Sequence, residues 1–198
     1  MKSALRRQRI GIFGGTFDPP HLAHLIIADQ ALHQLELDKV IFVPAYLPPH
    51  KEKGAEGTPS QRYAMLEKAI SGCREFDVTS IEIDRKGVSY TIDTLRHIKT
   101  KFRNANLFLI VGGDNYRQLE NWKSANEIRK LVTFVVYNRA NSPIAMGRRQ
   151  QRRVVPLKGA QLDISSTMIR YRVNRGESIR FLVPASVELF IRRHKLYL

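Results

Sequence analysis

The sequence predicts an α/β protein: a Rossmann-like open parallel sheet with helices on both faces and a small helical part at the C-terminus. Strand-like apolar runs alternate with helical patterns up to about residue 160, and this alternation is typical of parallel sheets. Two of the runs lead directly into paired glycines, Gly14-Gly15 and Gly112-Gly113. We expect one domain over residues 1–198, with a core at about 8–160 and a helical subdomain at about 161–198.

Three strands and three helices are expected in the first half of the chain. The strands are apolar runs at Arg9–Phe13, Lys39–Pro44 and Phe76–Asp84. The first helix follows from the helical spacing of Leu22, Leu25, Ile26, Leu32 and Leu35. The second begins at Thr58-Pro59-Ser60-Gln61, a capping box with proline at the first helical position, and ends at about Ser71 before Gly72. Thr91 is expected to cap the third, which runs to Phe102.

The second half adds three strands and three helices. Leu107–Val111 is a continuous apolar run, which is typical of a central strand, and Val132–Tyr137 and Val154–Pro156 follow it. Ser124-Ala125-Asn126-Glu127 is another capping box and predicts a short helix. Two further helices are expected, from Ser165 to about Asn174 and from Pro184 to His194.

The composition favours an intracellular protein that binds anions. No apolar run is long enough to span a membrane, and the basic start of the chain leads into a strand rather than a signal sequence. Cys73 is the only cysteine, so no intrachain disulfide can form, and a cytoplasmic location is expected. The net charge is +15, which suits nucleic acid or anionic small molecules. Four arginines between Arg148 and Arg153 form a basic run, but no aromatic residues are interleaved with them to stack on bases.

The stretch Gly14–His24 carries the most informative functional pattern. Two glycines end an apolar run, and His21 and His24 stand three residues apart where a helix begins. Glycines allow a ligand to approach the backbone, helix N-termini attract anions, and side chains at i and i+3 share a face. These features predict a site for a phosphate chain. A zinc site is the other interpretation, but the spacing is shorter than in His-Glu-x-x-His and no glutamate lies between the histidines.

Two common nucleotide-binding motifs are absent. The chain has no G-x-x-x-x-G-K-[ST] sequence, so it is not a P-loop protein, and its first glycines do not fit G-x-G-x-x-G. A second anion site is predicted where Ser165, Ser166 and Thr167 open a helix, with Arg170 one turn further on. Asp114 follows the second glycine pair, where a carboxylate can hold a ribose hydroxyl or a metal ion.

The motifs resemble those of a known enzyme family. Gly14–His24 is similar to the signature of the nucleotidylyltransferase superfamily, except that Ala23 replaces a usual glycine. Further blocks resemble the nicotinate-nucleotide adenylyltransferases and extend nearly from end to end. They are Pro44–Lys51, Ser89–Leu95, Gly112–Asp114 with Trp122, Ile164–Arg170, and Leu182–Pro184 with Val187, Ile191 and Leu196-Tyr197.

The resemblance implies transfer of an adenylyl group from ATP to nicotinate mononucleotide, with Mg²⁺ held through the ATP phosphates. The implied catalytic residues are His21, His24, Lys51 and Arg170. The implied ATP-binding residues are Gly14, Gly15, Thr16, Phe17, Gly112, Asp114, Ile164, Ser165, Ser166 and Thr167. Nicotinate mononucleotide would contact Thr91, Trp122 and Lys123.

Several alternatives remain open at this point. Another small adenylyltransferase, with phosphopantetheine or nicotinamide mononucleotide as acceptor, would share the first motif, and so would a cytidylyltransferase. A basic nucleic-acid-binding module is an alternative of a different class. No membrane partner is expected, and the sequence leaves a homo-oligomer open.

Overall fold

A computed structural model describes residues 6–48, 55–138, 153–159 and 162–198. The strands are β1 (Arg9–Gly15), β2 (Lys39–Pro44), β3 (Phe76–Val78), β4 (Asn106–Gly112), β5 (Val132–Tyr137) and β6 (Val154–Pro156). The α-helices are α1 (Leu22–Gln34), α2 (Pro59–Ile70), α3 (Ile81–Arg85), α4 (Thr91–Lys101), α5 (Gly113–Arg117), α6 (Ala125–Leu131), α7 (Ser166–Asn174) and α8 (Ala185–Arg193). A 3₁₀ helix spans Leu119–Asn121.

The strands form one parallel sheet in the order β3-β2-β1-β4-β5-β6. The chain adds β2 and β3 on one side of β1 and then returns to its other side to add β4, so the strand order reverses between β1 and β4. In sheets of this kind, ligands bind outside the carboxyl ends of the strands at such a reversal. The fold class predicted from the sequence is confirmed, and the reversal locates the candidate site.

Both faces of the sheet are buried beneath helices. On one face, Ile10 and Ile12 of β1 lie in a cluster with residues of α4 and α6, such as Leu95 and Ile128. On the other face, Phe13 lies in a cluster with residues of α1 and α2, such as Leu66. Successive strand residues point to opposite faces, which is why neighbouring residues of β1 enter different clusters.

The C-terminal helices share a third cluster with α2. Met65 of α2 lies in this cluster with Ile169 of α7 and Val187 of α8, all fully buried, and Tyr197 closes it near the end of the chain. The treatment of residues 1–198 as a single domain stays a prediction. No helix in the described ranges is both long and apolar enough to cross a membrane.

Three local predictions need correction. The strand expected over Phe76–Asp84 ends at Val78, because β3 lies at the sheet edge and pairs with only three residues of β2. The chain then forms α3, whose Glu82 accepts a hydrogen bond from Thr94 of α4 at 2.5 Å.

The two other corrections concern caps. Tyr90, not Thr91, is the N-cap of α4, and Thr91 is its first helical residue. Ser124 precedes α6 as predicted, but its backbone is left-handed (φ 57°) and its side chain makes no capping hydrogen bond.

Candidate active site

The last two residues of β1 are glycines, of which Gly15 is needed for packing and Gly14 borders open space. A Cβ on Gly15 would lie about 3 Å from the ring of Phe17, which folds back beneath the loop and is 2% exposed. A Cβ on Gly14 would meet no atom of the described residues within 4 Å. A ligand can therefore approach the backbone at Gly14, whereas the Phe17 side chain belongs to the core.

The two histidines lie at the N-terminus of α1 with their rings stacked. Their ring centroids are 3.6 Å apart, and the Phe17 ring packs edge-on against His24 at 4.9 Å. His21 is the N-cap residue, and its backbone N–H donates to Nδ1 of His24 over 3.2 Å. An accepting Nδ1 carries no proton, so Nε2 of His24 carries it and is the ring's donor. The local backbone thus selects which nitrogen a ligand would meet.

The histidines line a cavity of about 270 Å³ at the carboxyl ends of the strands. Other polar residues of its wall are Gln30, Asn138 and Lys158. Ala23, the residue that departs from the superfamily pattern, also lines the cavity. The apolar part of the wall is formed by Ile27, Pro156, Leu157, Leu162 and Ile164. A mixed wall of this kind suits a ligand with a flat apolar ring and an anionic end.

Gln34 and Asn138 were not singled out by the sequence reasoning. The Gln34 side chain bonds both backbone groups of Lys158, and so holds the segment after β6 against α1. Asn138 follows β5, and its buried Oδ1 has no hydrogen-bond partner among the described residues. A buried acceptor without a partner is costly, so Asn138 is suited to a ligand donor.

The start of α7 is tied to the loop after β1. Ser165 caps the helix by accepting from the backbone N–H of Met168 at 3.2 Å, and Ser166 Oγ donates to the carbonyl of Pro19 at 2.8 Å. Thr167 is exposed beside them. Arg170, one turn later, donates from Nη1 to the carbonyl of Asp18 at 2.9 Å. The structure therefore brings the second predicted anion site to the first.

Asp18 and Arg62 organise these loops from within. The Asp18 carboxylate is 2% exposed and accepts from the backbone N–H groups of Glu56 and Gly57 at 2.8 and 3.0 Å. Arg62 is 1% exposed and donates to the carbonyls of Thr16, Tyr46 and Gly57, at 2.8, 3.3 and 3.1 Å. Burial lowers the pKa of the Arg62 guanidinium, and the charge of Asp18 opposes that shift.

The sequence analysis did not single out this pair, although two signals could have identified it. Asp18 stands inside the glycine-turn motif, and Arg62 lies one helical turn before Met65 and Leu66 on the buried face of α2. A basic residue on an apolar helix face requires buried acceptors.

A second group of predicted residues gathers at the N-terminus of α4. Lys123 Nζ lies 4.4 Å from the centre of the Tyr90 ring, next to Thr91, and 3.3 Å from the Asp93 carboxylate. Trp122 is partly buried and packs against the core cluster beneath. The segment before α4 is joined to the one after β2, because Tyr46 N–H donates to Ser89 Oγ at 2.9 Å. Thr91, Trp122 and Lys123 therefore lie in one region, separate from the histidine cavity.

Gly112 is the last residue of β4, and Asp114 lies in the first turn of α5, which follows directly. The Asp114 carboxylate folds back over Gly112, where a Cβ would collide with it, and the Tyr137 ring of β5 borders the same position. Tyr137 also lines the histidine cavity. Lys51, predicted to contact phosphates, and Arg148 to Arg152 of the basic run lie outside the described residues.

Comparisons with known proteins identify the family. A family model described as cytidylyltransferase-like matches residues 12–172. A probable nicotinate-nucleotide adenylyltransferase from Thermus thermophilus is 43% identical over 189 residues, covering 96% of this chain and 99% of the relative. The chain belongs to the nicotinate-nucleotide adenylyltransferase family. Another member, from Shouchella clausii, is 42% identical over 190 residues, with 96% and 97% of the two chains covered. The resemblance stated from the motifs is confirmed.

Solved structures support the fold independently of the family. Plasmodium falciparum nicotinic acid mononucleotide adenylyltransferase complexed with NaAD superposes with a TM-score of 0.82 at 17% identity, covering 96% of this chain and 98% of that one. A putative nicotinate-nucleotide adenylyltransferase from Vibrio parahaemolyticus has a TM-score of 0.70 at 21% identity, with 96% and 95% covered. At such low identities, these two superpositions show a shared fold and nothing more specific.

The side chains of the site include several hydrogen-bond donors that suit phosphate. Within the described ranges, no cluster of three or more His, Cys, Asp or Glu residues has the geometry to hold an ion. Histidine, serine and arginine side chains around the loop after β1 can donate hydrogen bonds to anions. The Asp18 carboxylate of that loop already accepts from the backbone N–H groups of Glu56 and Gly57.

Proposed function

We propose that this nicotinate-nucleotide adenylyltransferase family member transfers the adenylyl group of ATP to nicotinate mononucleotide. A phosphate oxygen of the mononucleotide attacks the α-phosphorus of ATP, and the bond from that phosphorus to the β-phosphate bridging oxygen breaks. The products are nicotinate adenine dinucleotide and pyrophosphate. The nucleophile is already an anion, so no protein base is required, and catalysis consists of positioning and charge stabilisation.

The observation that supports this proposal best is the stacked histidine pair beside the cavity at the strand-order reversal. His24 is held so that Nε2–H is its donor, and such a donor can stabilise charge that develops on the α-phosphate. Arg170 and Lys51 would contact the β- and γ-phosphates, and His21 would bind the triphosphate with His24. The backbone at Gly14, Gly15 and Thr16 and the hydroxyls of Ser165, Ser166 and Thr167 would complete the phosphate site.

The adenosine part of ATP would occupy the histidine cavity. Ile164 and Leu157 provide apolar wall on which a flat base can lie. The unpartnered Oδ1 of Asn138 is suited to accept a hydrogen bond from an amino or hydroxyl group of the nucleoside. Asp114, with Gly112 beneath it, would meet the ribose hydroxyls.

The acceptor nucleotide would bind at the second region, beside α4. Trp122 would stack on the pyridine ring, and Thr91 and nearby backbone N–H groups would bind the carboxylate. Lys123 adds a positive charge on the same side. This arrangement leaves the reacting phosphate between the two regions, near Gly112.

Mg²⁺ is the cofactor we propose, carried by the ATP phosphates. When bound, it would neutralise phosphate charge and orient the leaving pyrophosphate.

A cytoplasmic location also stays a prediction, which rests on the single cysteine and on the nature of the substrates.

Pyrophosphate release by the purified protein tests the proposal. The reaction would contain ATP and Mg²⁺ with nicotinate mononucleotide, nicotinamide mononucleotide or phosphopantetheine. We expect strong preference for nicotinate mononucleotide. Release with phosphopantetheine alone, or with none of the three, would contradict the proposed acceptor. A parallel screen with CTP in place of ATP distinguishes a cytidylyltransferase.

A further inference from the structure

Tyr197, near the C-terminus, contacts Asp18, the buried aspartate beneath the loops of the candidate active site. Tyr197 Oη donates to Asp18 Oδ1 at 2.7 Å, a contact between residues 179 positions apart. The tyrosine is 8% exposed and packs in the cluster shared by α2, α7 and α8. Its backbone is left-handed (φ 66°), as is that of Lys195 (φ 49°). Residues with a Cβ keep this conformation only where the surrounding structure imposes it, and such outliers concentrate at functional sites.

Asp18 connects Tyr197 to the loop that precedes α2 through hydrogen bonds. Its carboxylate has three donors, Tyr197 Oη and the backbone N–H groups of Glu56 and Gly57. The fit around it is tight, because a Cβ on Gly57 would lie 2.7 Å from Asp18 Oδ1. Loss of the tyrosine hydroxyl would leave one of the three hydrogen bonds unmade in a buried site and loosen the backbone that the other two hold.

Arg170 is the residue on which these contacts converge. Its Nε donates to the carboxylate of Glu56 at 2.7 Å, and its Nη1 donates to the backbone carbonyl of Asp18 at 2.9 Å. Two fixed acceptors orient the plane of the guanidinium. No hydrogen bond from Nη2 to another described residue is present, so that nitrogen can donate to an anion. A guanidinium held in this way loses little conformational entropy when it binds phosphate.

We propose that Tyr197 is a positioning residue for ATP binding, which acts through Asp18 and Glu56 to orient Arg170. The inference rests on the proposed function, because it takes Arg170 as a phosphate ligand. Burial, followed by the hydrogen bond to Asp18, raises the pKa of Tyr197 above its ordinary value, so its hydroxyl remains a donor at neutral pH. The C-terminal turn therefore takes part in ATP binding through these hydrogen bonds.

Tyr197→Phe is the direct test, because it removes the hydroxyl and keeps the ring that packs in the core. We expect the Kd for the non-cleavable analogue α,β-methylene-ATP to rise about 3- to 10-fold, the scale of one hydrogen bond. The KM for ATP would rise by the same factor, while the KM for nicotinate mononucleotide changes less than about 2-fold. Tyr171→Phe is the matched control, since Tyr171 lies in α7, is 60% exposed and accepts a hydrogen bond at its hydroxyl from Arg175 Nη1. That control should leave all three constants unchanged.

A double-mutant cycle separates positioning from a general loss of structure. If Tyr197 acts through Arg170, Tyr197→Phe should have no further effect on analogue binding in an Arg170→Gln background. The same 3- to 10-fold loss in that background would overturn the proposal, and so would an equal rise in KM for both substrates. Gly57→Ala, which crowds the Asp18 carboxylate from the other side, should reproduce the ATP-specific loss.

The outcome also distinguishes this inference from the proposed function. A wild-type protein that binds the analogue but forms no product with nicotinate mononucleotide contradicts the proposed acceptor and leaves the binding comparison valid. A wild-type protein that does not bind the analogue overturns both.

Discussion

The histidine pair and Arg170 both lie beside the loop after β1, but their surroundings differ in origin. Neighbouring residues in the sequence position the histidines, whereas residues from distant segments position Arg170. The histidines, the glycines and the Phe17 ring that supports them lie within eleven consecutive residues, Gly14–His24. The orientation of Arg170 depends on Asp18, Glu56 and Tyr197, which come from three distant segments. One half of the proposed phosphate site is therefore a local motif, while the other half exists only when distant segments of the chain are folded together.

The largest effect is expected at His24, in the local half. His24→Ala should lower turnover by about 10²- to 10³-fold with little change in thermal stability, because it removes a donor to the transition state. His24→Gln, whose amide N–H can take the place of Nε2–H, should retain more activity than His24→Asn. Steady-state pyrophosphate release measures all three. Near-normal turnover of His24→Ala would remove the histidine from the proposed mechanism.

In the part of the site that is assembled from distant segments, the main expected effect of a substitution is a lower free energy of unfolding. Arg62→Met leaves the buried carbonyls of Thr16, Tyr46 and Gly57 without their donor, and we expect a loss of about 2 kcal/mol in the free energy of unfolding. Urea denaturation measures this loss. Arg103→Met is the control, since Arg103 is exposed on the surface and should change stability by less than about 0.5 kcal/mol. Equal effects of the two substitutions would contradict the organising role of Arg62.

A substitution at Trp122 tests whether the proposed nicotinate mononucleotide site beside α4 is separate from the proposed phosphate site. Trp122→Ala should raise the KM for nicotinate mononucleotide about 10-fold, the scale of one lost stacking contact, with the KM for ATP little changed. Separate titrations of the two substrates measure the difference. Equal weakening for both would indicate that Trp122 serves core packing alone.

The smallest effect is expected at Asp38, which lies outside the site. The backbone N–H of Arg9, followed by the Arg6 side chain, holds the pKa of Asp38 below its ordinary value. A lowered pKa stabilises the fold above the unfolded-state value, and that contribution is lost as pH falls through the folded-state value. Asp38→Asn should therefore cost less than about 1 kcal/mol at pH 7, because the pair is partly exposed.

Denaturation at several pH values checks the Asp38 prediction. The difference between wild type and Asp38→Asn should disappear in acid. A difference that persists below the folded-state pKa would contradict the ionic origin of the effect.

Features that depend on neighbouring residues could be predicted from the sequence, whereas features that depend on contacts between distant segments could not. The six strands and the helices α1, α2, α4, α6, α7 and α8 were predicted from patterns within short windows, whereas the short helices α3 and α5 were not. The phosphate site predicted at Gly14–His24 also rests on a pattern within one short window. The predicted strand Phe76–Asp84 was wrong, because its length depends on how many residues of β2 the edge strand pairs with. The contact of Tyr197 with Asp18 has no local signal, since it arises from packing between the two ends of the chain.

The site roles themselves remain predictions of different kinds. Those of His21, His24 and Arg170 rest on geometry as well as on motifs. That of Lys51 rests on the resemblance alone, because the residue lies outside the described ranges. Phe17 was also predicted to bind ATP, and because its side chain is only 2% exposed, that prediction now concerns the backbone of Phe17 rather than its ring.

The central claim is that a phosphate oxygen of nicotinate mononucleotide attacks the α-phosphorus of ATP at this site. The most direct test supplies nicotinate mononucleotide with ¹⁸O in its phosphate group and analyses both products by mass spectrometry. The account predicts that all of the label appears in nicotinate adenine dinucleotide and none in pyrophosphate. Label in pyrophosphate, or consumption of ATP without formation of the dinucleotide, would contradict it.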